Sequence, residues 1–253
     1  MKALLLTGLL FILILPGCRK ETSILPLLQS VEELIPMYAD SASVLLDSIQ
    51  APDELTDKDF AHWCMLCGKV TDEAATGLLP IYQWQRAQQW FTEHGTAEEQ
   101  AQIDLYLGRA YVEDGEYDKA MQIYADALQL AKEHQAYNVA GYICAYMADL
   151  YGFRDITSEC LKKREEACEF FKKAENYKSY AYSLKDLAGE WAILDSFACT
   201  IPLLQKADSI SQLLHNKNLT AAIANAFALI YEMQGKYNEA ETAYLKAIST
   251  RSE

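Results

Sequence analysis

The stretch Ala101–Lys132 reads AQIDLYLGRAYVEDGEYDKAMQIYADALQLAK. With Ala101 as position 1, small residues fall at positions 8, 20 and 27 (Gly108, Ala120, Ala127). Large apolar residues fall at 7, 11, 17 and 24 (Leu107, Tyr111, Tyr117, Tyr124). A step of 40 residues repeats the pattern along the chain. Position 8 reads Gly68, Gly108, Ala148, Ala188, Ala228, and position 27 reads Ala87, Ala127, Ala167, Ala207, Ala247. Position 11 reads Thr71, Tyr111, Tyr151, Trp191, Tyr231. Three columns in step over five units identify an internal repeat, and units of this kind stack on their neighbours instead of closing round a single core.

The pattern resembles the tetratricopeptide repeat, a helix–turn–helix unit. The resemblance implies an all-α fold, a right-handed superhelical array of antiparallel helix pairs, with small residues where two helices approach closely and large ones filling the remaining space. About five units are expected, at residues 61–100, 101–140, 141–180, 181–220 and 221–253. The last is again close to the family pattern, and its turn Gln234-Gly235-Lys236 matches Asp114-Gly115-Glu116. The family's period is about 34 residues, so each unit here is about six residues longer, which is roughly 9 Å of extra helix. Leu130–Val139 contains no Pro or Gly, so longer helices are predicted and not longer loops. Pro80 stands at position 20 of the first unit and is tolerated only in the first turn of a helix; the second helix of that unit is predicted to start there. Arg164 stands at position 24 of the third unit, an apolar column, and is predicted to reach solvent with its stem buried.

The chain has 253 residues, 51% of them apolar, with a net charge of −14. That balance argues against nucleic acid as a partner, because such binding rests on Lys and Arg neutralising phosphates. It favours solubility and cationic partners. There is no Gly-rich phosphate loop, no Gly-x-Ser-x-Gly and no identifiable pair of catalytic carboxylates, so no cofactor is expected and the protein is expected not to be an enzyme. His62, His94, His134 and His215 lie tens of residues apart, so no metal site is expected. Cys64-Met65-Leu66-Cys67 follows Trp63 and resembles the redox motif of thioredoxin-like proteins. That chemistry needs a Cys at a helix N-terminus and a preceding strand. Positions 4 and 7 instead fall inside a first helix on its packing side, so two small buried hydrophobes are expected. Six cysteines other than Cys18 allow fifteen pairings, and unpaired core thiols are preferred.

Residues 1–18, MKALLLTGLLFILILPGC, combine one Lys, a short apolar run and Cys18. The run has signal-peptide proportions, and Leu15-Pro16-Gly17-Cys18 resembles the lipobox of bacterial lipoproteins, in which the Cys is lipidated and becomes the mature N-terminus. Residues 19–60 are expected to form a tether and N-terminal capping helices. Tyr38–Ile49 places Ala42, Leu45, Leu46 and Ile49 on one helical face. This region resembles the cap of repeat-containing envelope lipoproteins and sensor-regulators of the Bacteroidetes. The implied location is the bacterial cell envelope. Arg19 and Lys20 follow Cys18 in place of an acidic run, which prefers a lipid-anchored, periplasm-facing outer-membrane protein over a surface-exposed one. Arrays commonly end in a polar capping helix; the final repeat shows no such cap, and self-association through it is an expectation.

The leading functional expectation is therefore a membrane-tethered scaffold that binds a peptide or protein partner. The alternatives are the sensory or regulatory part of an envelope signalling system, a glycan-binding lipoprotein, and a thiol oxidoreductase using Cys64 and Cys67. In the family, positions 2, 5, 9, 12 and 13 of each first helix line a concave groove. Carried onto the middle units, these columns give Arg109, Tyr142, Asp149, Phe153, Tyr182 and Lys185. Aromatic anchors beside charges of both signs suit a peptide ligand.

Overall fold

The computed structural model describes residues 24–252 apart from Ala75. The apolar leader, Cys18 and the start of the tether lie outside the described residues. The described chain forms eleven helices and no strand. They are α1 (Leu25–Asp47), α2 (Asp57–Ala74), α3 (Ile81–His94), α4 (Ala97–Glu113), α5 (Tyr117–Glu133) and α6 (Tyr137–Phe153). Then come α7 (Thr157–Lys173), α8 (Tyr177–Ile193), α9 (Phe197–Leu213), α10 (Lys217–Met233) and α11 (Tyr237–Ser252). From α2 onward they pair as successive antiparallel hairpins.

Every helix from α4 to α10 has 17 residues, and the turns between them have three, which gives the period of forty. The length beyond the usual unit therefore sits in the helices. All seven turns from Asp114 onward close alike. Their middle residues, Gly115, Gln135, Asp155, Glu175, Asp195, His215 and Gly235, have positive φ. The next N–H in each donates to the carbonyl five residues back, at 2.8–3.2 Å, as Glu116 does to Tyr111. This is the Schellman closure, and five of the seven use a side-chain-bearing residue where Gly is favoured.

The helices start where local chemistry allows. Thr96 caps α4: its hydroxyl accepts from the Glu99 N–H at 3.2 Å, and the Glu99 carboxylate accepts from the Thr96 N–H at 2.8 Å. The helix therefore begins four residues before the frame counted from Ala101. Pro80 is the N-cap of α3, which starts at Ile81, one residue after the predicted start. Pro36 lies within α1, and the backbone breaks from helical geometry at Tyr38 (φ −139°, ψ 53°). A proline removes a helical donor and crowds the preceding turn. The half of α1 after the kink corresponds to the helix read from Tyr38–Ile49, and the half before it carries Leu28, Val31 and Ile35 into the core. Arg86 of α3 fastens the link to α2. Its guanidinium donates to the carbonyls of Asp53 and Leu55 at 3.1 and 3.0 Å and to Asp57 at 2.8 Å, and lies 4.0 Å from the centre of the Phe60 ring.

Small residues in the repeat columns mark contacts between helices. A Cβ added at Gly108 would lie 2.2 Å from a ring carbon of Tyr124, and one at Gly68 2.3 Å from Tyr106. The space that position 8 leaves is thus taken by a ring, from position 24 of the same unit at Gly108 and from position 6 of the next unit at Gly68.

One packed carboxyl makes stability pH-dependent. Asp104 on α4 accepts from the Gln88 amide at 2.7 Å. Burial, against the pull of that bond, pushes its pKa from the ordinary 3.8 to about 6. The folded state therefore holds the proton more tightly than the unfolded one. This contribution is full below about pH 4 and is lost as pH rises through about 6. Asp104→Asn should raise stability at pH 7 by about 1–2 kcal/mol, allowing for partial exposure, and change little at pH 4. Urea denaturation at the two pH values checks this.

Candidate functional site

The first helix of each pair forms the inner wall of the array. α2 packs on α4, α4 on α6 and α8 on α10, and the Tyr142 hydroxyl joins α6 to Ser179 of α8 at 2.8 Å. The wall encloses a groove of about 650 Å³ running over α2, α4, α6 and α8, with Arg164 and Phe171 contributed by α7. Lys178 of α8 reaches across to Glu73 of α2 at 2.8 Å, joining residues 105 apart in sequence. The superhelix thus brings the fourth first-helix back to the first.

The lining holds five carboxylates, Asp72, Glu73, Glu113, Asp149 and Asp186, against three cations, Arg109, Arg164 and Lys178. Each cation is paired. Arg109 meets Asp72, which also accepts from the Tyr106 hydroxyl at 2.8 Å. The Arg109 guanidinium lies 4.9 Å from the centre of the Tyr146 ring, a cation–π contact. Arg164 donates to Asp149 at 2.6 Å, with Glu190 at 3.6 Å. Burial raises the Asp72 and Asp149 carboxyls above the ordinary range, with Arg109 and Arg164 respectively pulling them back. Burial works to lower Lys178, but the hydrogen bond and charge of Glu73 outweigh it and hold the ammonium above its ordinary value. Glu113 is exposed and makes no ion pair among the described residues. The groove is thus mildly acidic and has no cation to spare for an anionic ligand.

A side pocket of about 420 Å³ opens beside the groove. Its walls are largely apolar, including Leu78, Val112, Leu150 and Phe153, with Tyr124 lining it. Arg109, Glu113, Tyr146 and Asp149 line both hollows.

Of the six groove residues read from the sequence, Arg109 and Asp149 line both hollows, Tyr142 and Tyr182 the groove, and Phe153 the side pocket. Phe153 is 68% exposed, and its ring centre lies 5.1 Å from that of Tyr117 with the planes tilted by 46°. Tyr142 also packs edge-on against Phe171 at 4.8 Å, so it holds helices together as well as facing the groove. Lys185 lines neither hollow; its ammonium is taken by neighbouring Asp186. The alternation of Arg109 and Asp149 does not present free charge of each sign, because each is neutralised by a partner. Arg164 does not reach solvent as its sequence position led one to expect. Its side chain is 12% exposed, and Asp149 and Glu190 hold it in the groove wall. Tyr146, Lys178, Asp72 and Glu73 were missed. Asp72 and Glu73 occupy columns 12 and 13 of the first unit, so the same columns applied one unit earlier would have found them. Tyr146 and Lys178 lie outside those columns.

Cys64 lies seven residues into α2 and is fully buried, its thiol facing the Gln83 carbonyl at 3.8 Å. Burial, then the neighbouring Cys67, pushes the Cys64 thiol far above its ordinary value, and burial does the same at Cys67. Neither is activated as a nucleophile. All six described cysteines are unpaired, four of them buried; Cys67 is half-buried and Cys199 exposed.

Comparison with known proteins agrees with this architecture. Two models described as tetratricopeptide repeat match residues 107–135 and 220–253. No curated protein matches the sequence. BtubC (BKLC) from P. vanneervenii is similar over 92% of both chains, at 16% identity and a TM-score of 0.62. A Rap protein crystallised with competence and sporulation factor is similar over 90% of this chain and 65% of that one, at 16% identity and a TM-score of 0.60. A STAND protein with a tetratricopeptide repeat sensor, from Pyrococcus horikoshii, is similar over 88% of this chain and 36% of that one, at 14% identity and a TM-score of 0.64. At these identities the likeness concerns the fold. The described residues form an all-helical array, two stretches of which match tetratricopeptide repeat models, and that repeat fold is typical of protein–protein interaction scaffolds.

Proposed function

We propose that this protein is a non-enzymatic scaffold that binds a peptide, or a segment of another envelope protein, in the concave groove. In this reading a lipid on Cys18 tethers it to the membrane, facing the periplasm. The observation that carries it is the groove itself: Tyr142, Tyr146 and Tyr182 present aromatic surface along two successive first helices, beside ion pairs on both flanks. Aromatic anchors in a concave surface suit an extended or helical peptide. The tether is supported by the apolar run ending at Cys18. A sensory or regulatory role is the second reading; the Pyrococcus horikoshii protein uses repeats of this fold as a sensor.

The test begins with cross-linking on intact membranes to capture the partner. Tyr182→Ala should then weaken binding by about 1–3 kcal/mol with little change in melting temperature. Unchanged affinity with a large loss of stability would place the binding surface elsewhere. Mass spectrometry of the N-terminal peptide should find Cys18 acylated; an unmodified Cys18 would remove the tether.

A further inference from the structure

Position 13 stands at the C-terminal end of each first helix. In chain order it reads Glu73, Glu113, Phe153, Ile193, Met233. All five are exposed, the three apolar ones to 68%, 70% and 50%. Glu73 and Glu113 line the groove and Phe153 the side pocket beside it, so the column follows the open face of the array. Exposed apolar residues scattered singly need no explanation, but three in register on successive helices form a strip. Leu229, one turn before Met233, is exposed on the same side of α10 and widens it. The charges change along the same column. Lys178 engages Glu73, whereas Glu113 makes no ion pair among the described residues and has exposed Asp114 beside it. The neighbouring cations are held elsewhere: Arg109 by Asp72, Lys119 by Glu116 and Arg154 by Asp118.

We propose that this column is the specificity track of the groove: it takes an extended segment of a protein partner in which one Lys or Arg meets Glu113 and apolar side chains rest in turn on Phe153, Ile193 and Met233. Packed helices lie roughly 8–10 Å apart. A segment in polyproline II conformation rises about 3.1 Å per residue and returns every third side chain to the same side, so its apolar residues recur about every third position. A basic end is favoured over an acidic one because Glu113 is the charge left unpaired. This inference rests on the groove being a peptide site and names the chemistry of its ligand.

The experiment selects a randomised dodecapeptide phage library on the full-length protein in lipid nanodiscs, after counter-selection on empty nanodiscs. Enrichment of Lys or Arg followed or preceded by apolar residues about three apart is expected. For a selected peptide, Glu113→Lys, Ile193→Asp and Met233→Asp should each weaken binding about tenfold. Exchanging the peptide's basic residue for Glu should restore binding to Glu113→Lys. Leu213→Asp, at an 80% exposed residue closing α9, should leave binding unchanged. All four variants replace exposed residues, so their melting temperatures should stay near that of the wild type. Selected peptides without the basic and apolar pattern, or binding indifferent to all three track variants, would overturn the track while leaving the groove reading standing if Tyr182→Ala still weakens binding. No enriched peptide, or binding indifferent to Tyr182→Ala and the track variants alike, would overturn both.

Discussion

Replacing Gly108 with alanine is expected to lower the stability of the array by about 3 kcal/mol. The added methyl would sit 2.2 Å from the Tyr124 ring. That ring is fully buried, so it has no open side to move to, and α4 and α5 must separate. The control is Gly189→Ala in α8, where an added Cβ meets nothing within 4 Å. There the ordinary helical preference for alanine operates, and a gain of up to about 1 kcal/mol is expected. The two substitutions are chemically identical and lie at neighbouring columns, 8 and 9. Opposite signs in urea denaturation would show that close approach, and not backbone freedom, explains the column of small residues. Equal signs would contradict it.

The second large effect concerns Asp149 and Arg164. Removing Asp149 leaves a guanidinium, 12% exposed, with Glu190 at 3.6 Å and the more distant charge of Asp186. Stranding a buried charge costs several kcal/mol in a closed interior. Asp149 itself is 55% exposed, so Asp149→Ala is expected to cost about 2 kcal/mol. Arg164→Leu removes the charge instead and restores the apolar type that Leu204 provides at the same column of the next unit. It should cost less than Asp149→Ala, because the carboxylates left behind, Asp149 at 55% and Glu190 at 19% exposed, keep more hydration than a stranded guanidinium at 12%. Arg164→Leu should also leave Asp149 free, turning the groove more acidic. Thermal melts of the two variants check the asymmetry; equal destabilisation would contradict it.

The sequence made the columns legible because each records a contact inside one unit or with the next. Gly108 against Tyr124 is such a contact, and Pro80 marks the start of α3 by its own backbone geometry. The turns were legible only where glycine marks them, at Gly115 and Gly235. In the units between, Asp155, Glu175 and Asp195 adopt the same positive φ without a glycine to show it. Closure of the groove by Glu73 and Lys178 depends on the pitch summed over three units, which no column holds. The side pocket escaped notice because position 24 of one unit meets positions 6 and 9 of the next, through Tyr124, Tyr146 and Asp149. Arg164 stood out in sequence as an exception to its column. Its role became readable only once Asp149 and Glu190 were seen around it.

The central claim, that the concave groove receives the partner, is tested most directly by site-specific photo-cross-linking in living cells. A benzophenone amino acid would replace Tyr182 in the groove in one strain and exposed Gln129 on α5 in another. The account predicts a discrete cross-linked species from position 182 and none from position 129. A species from position 129 alone would place the partner on the outer face and contradict it.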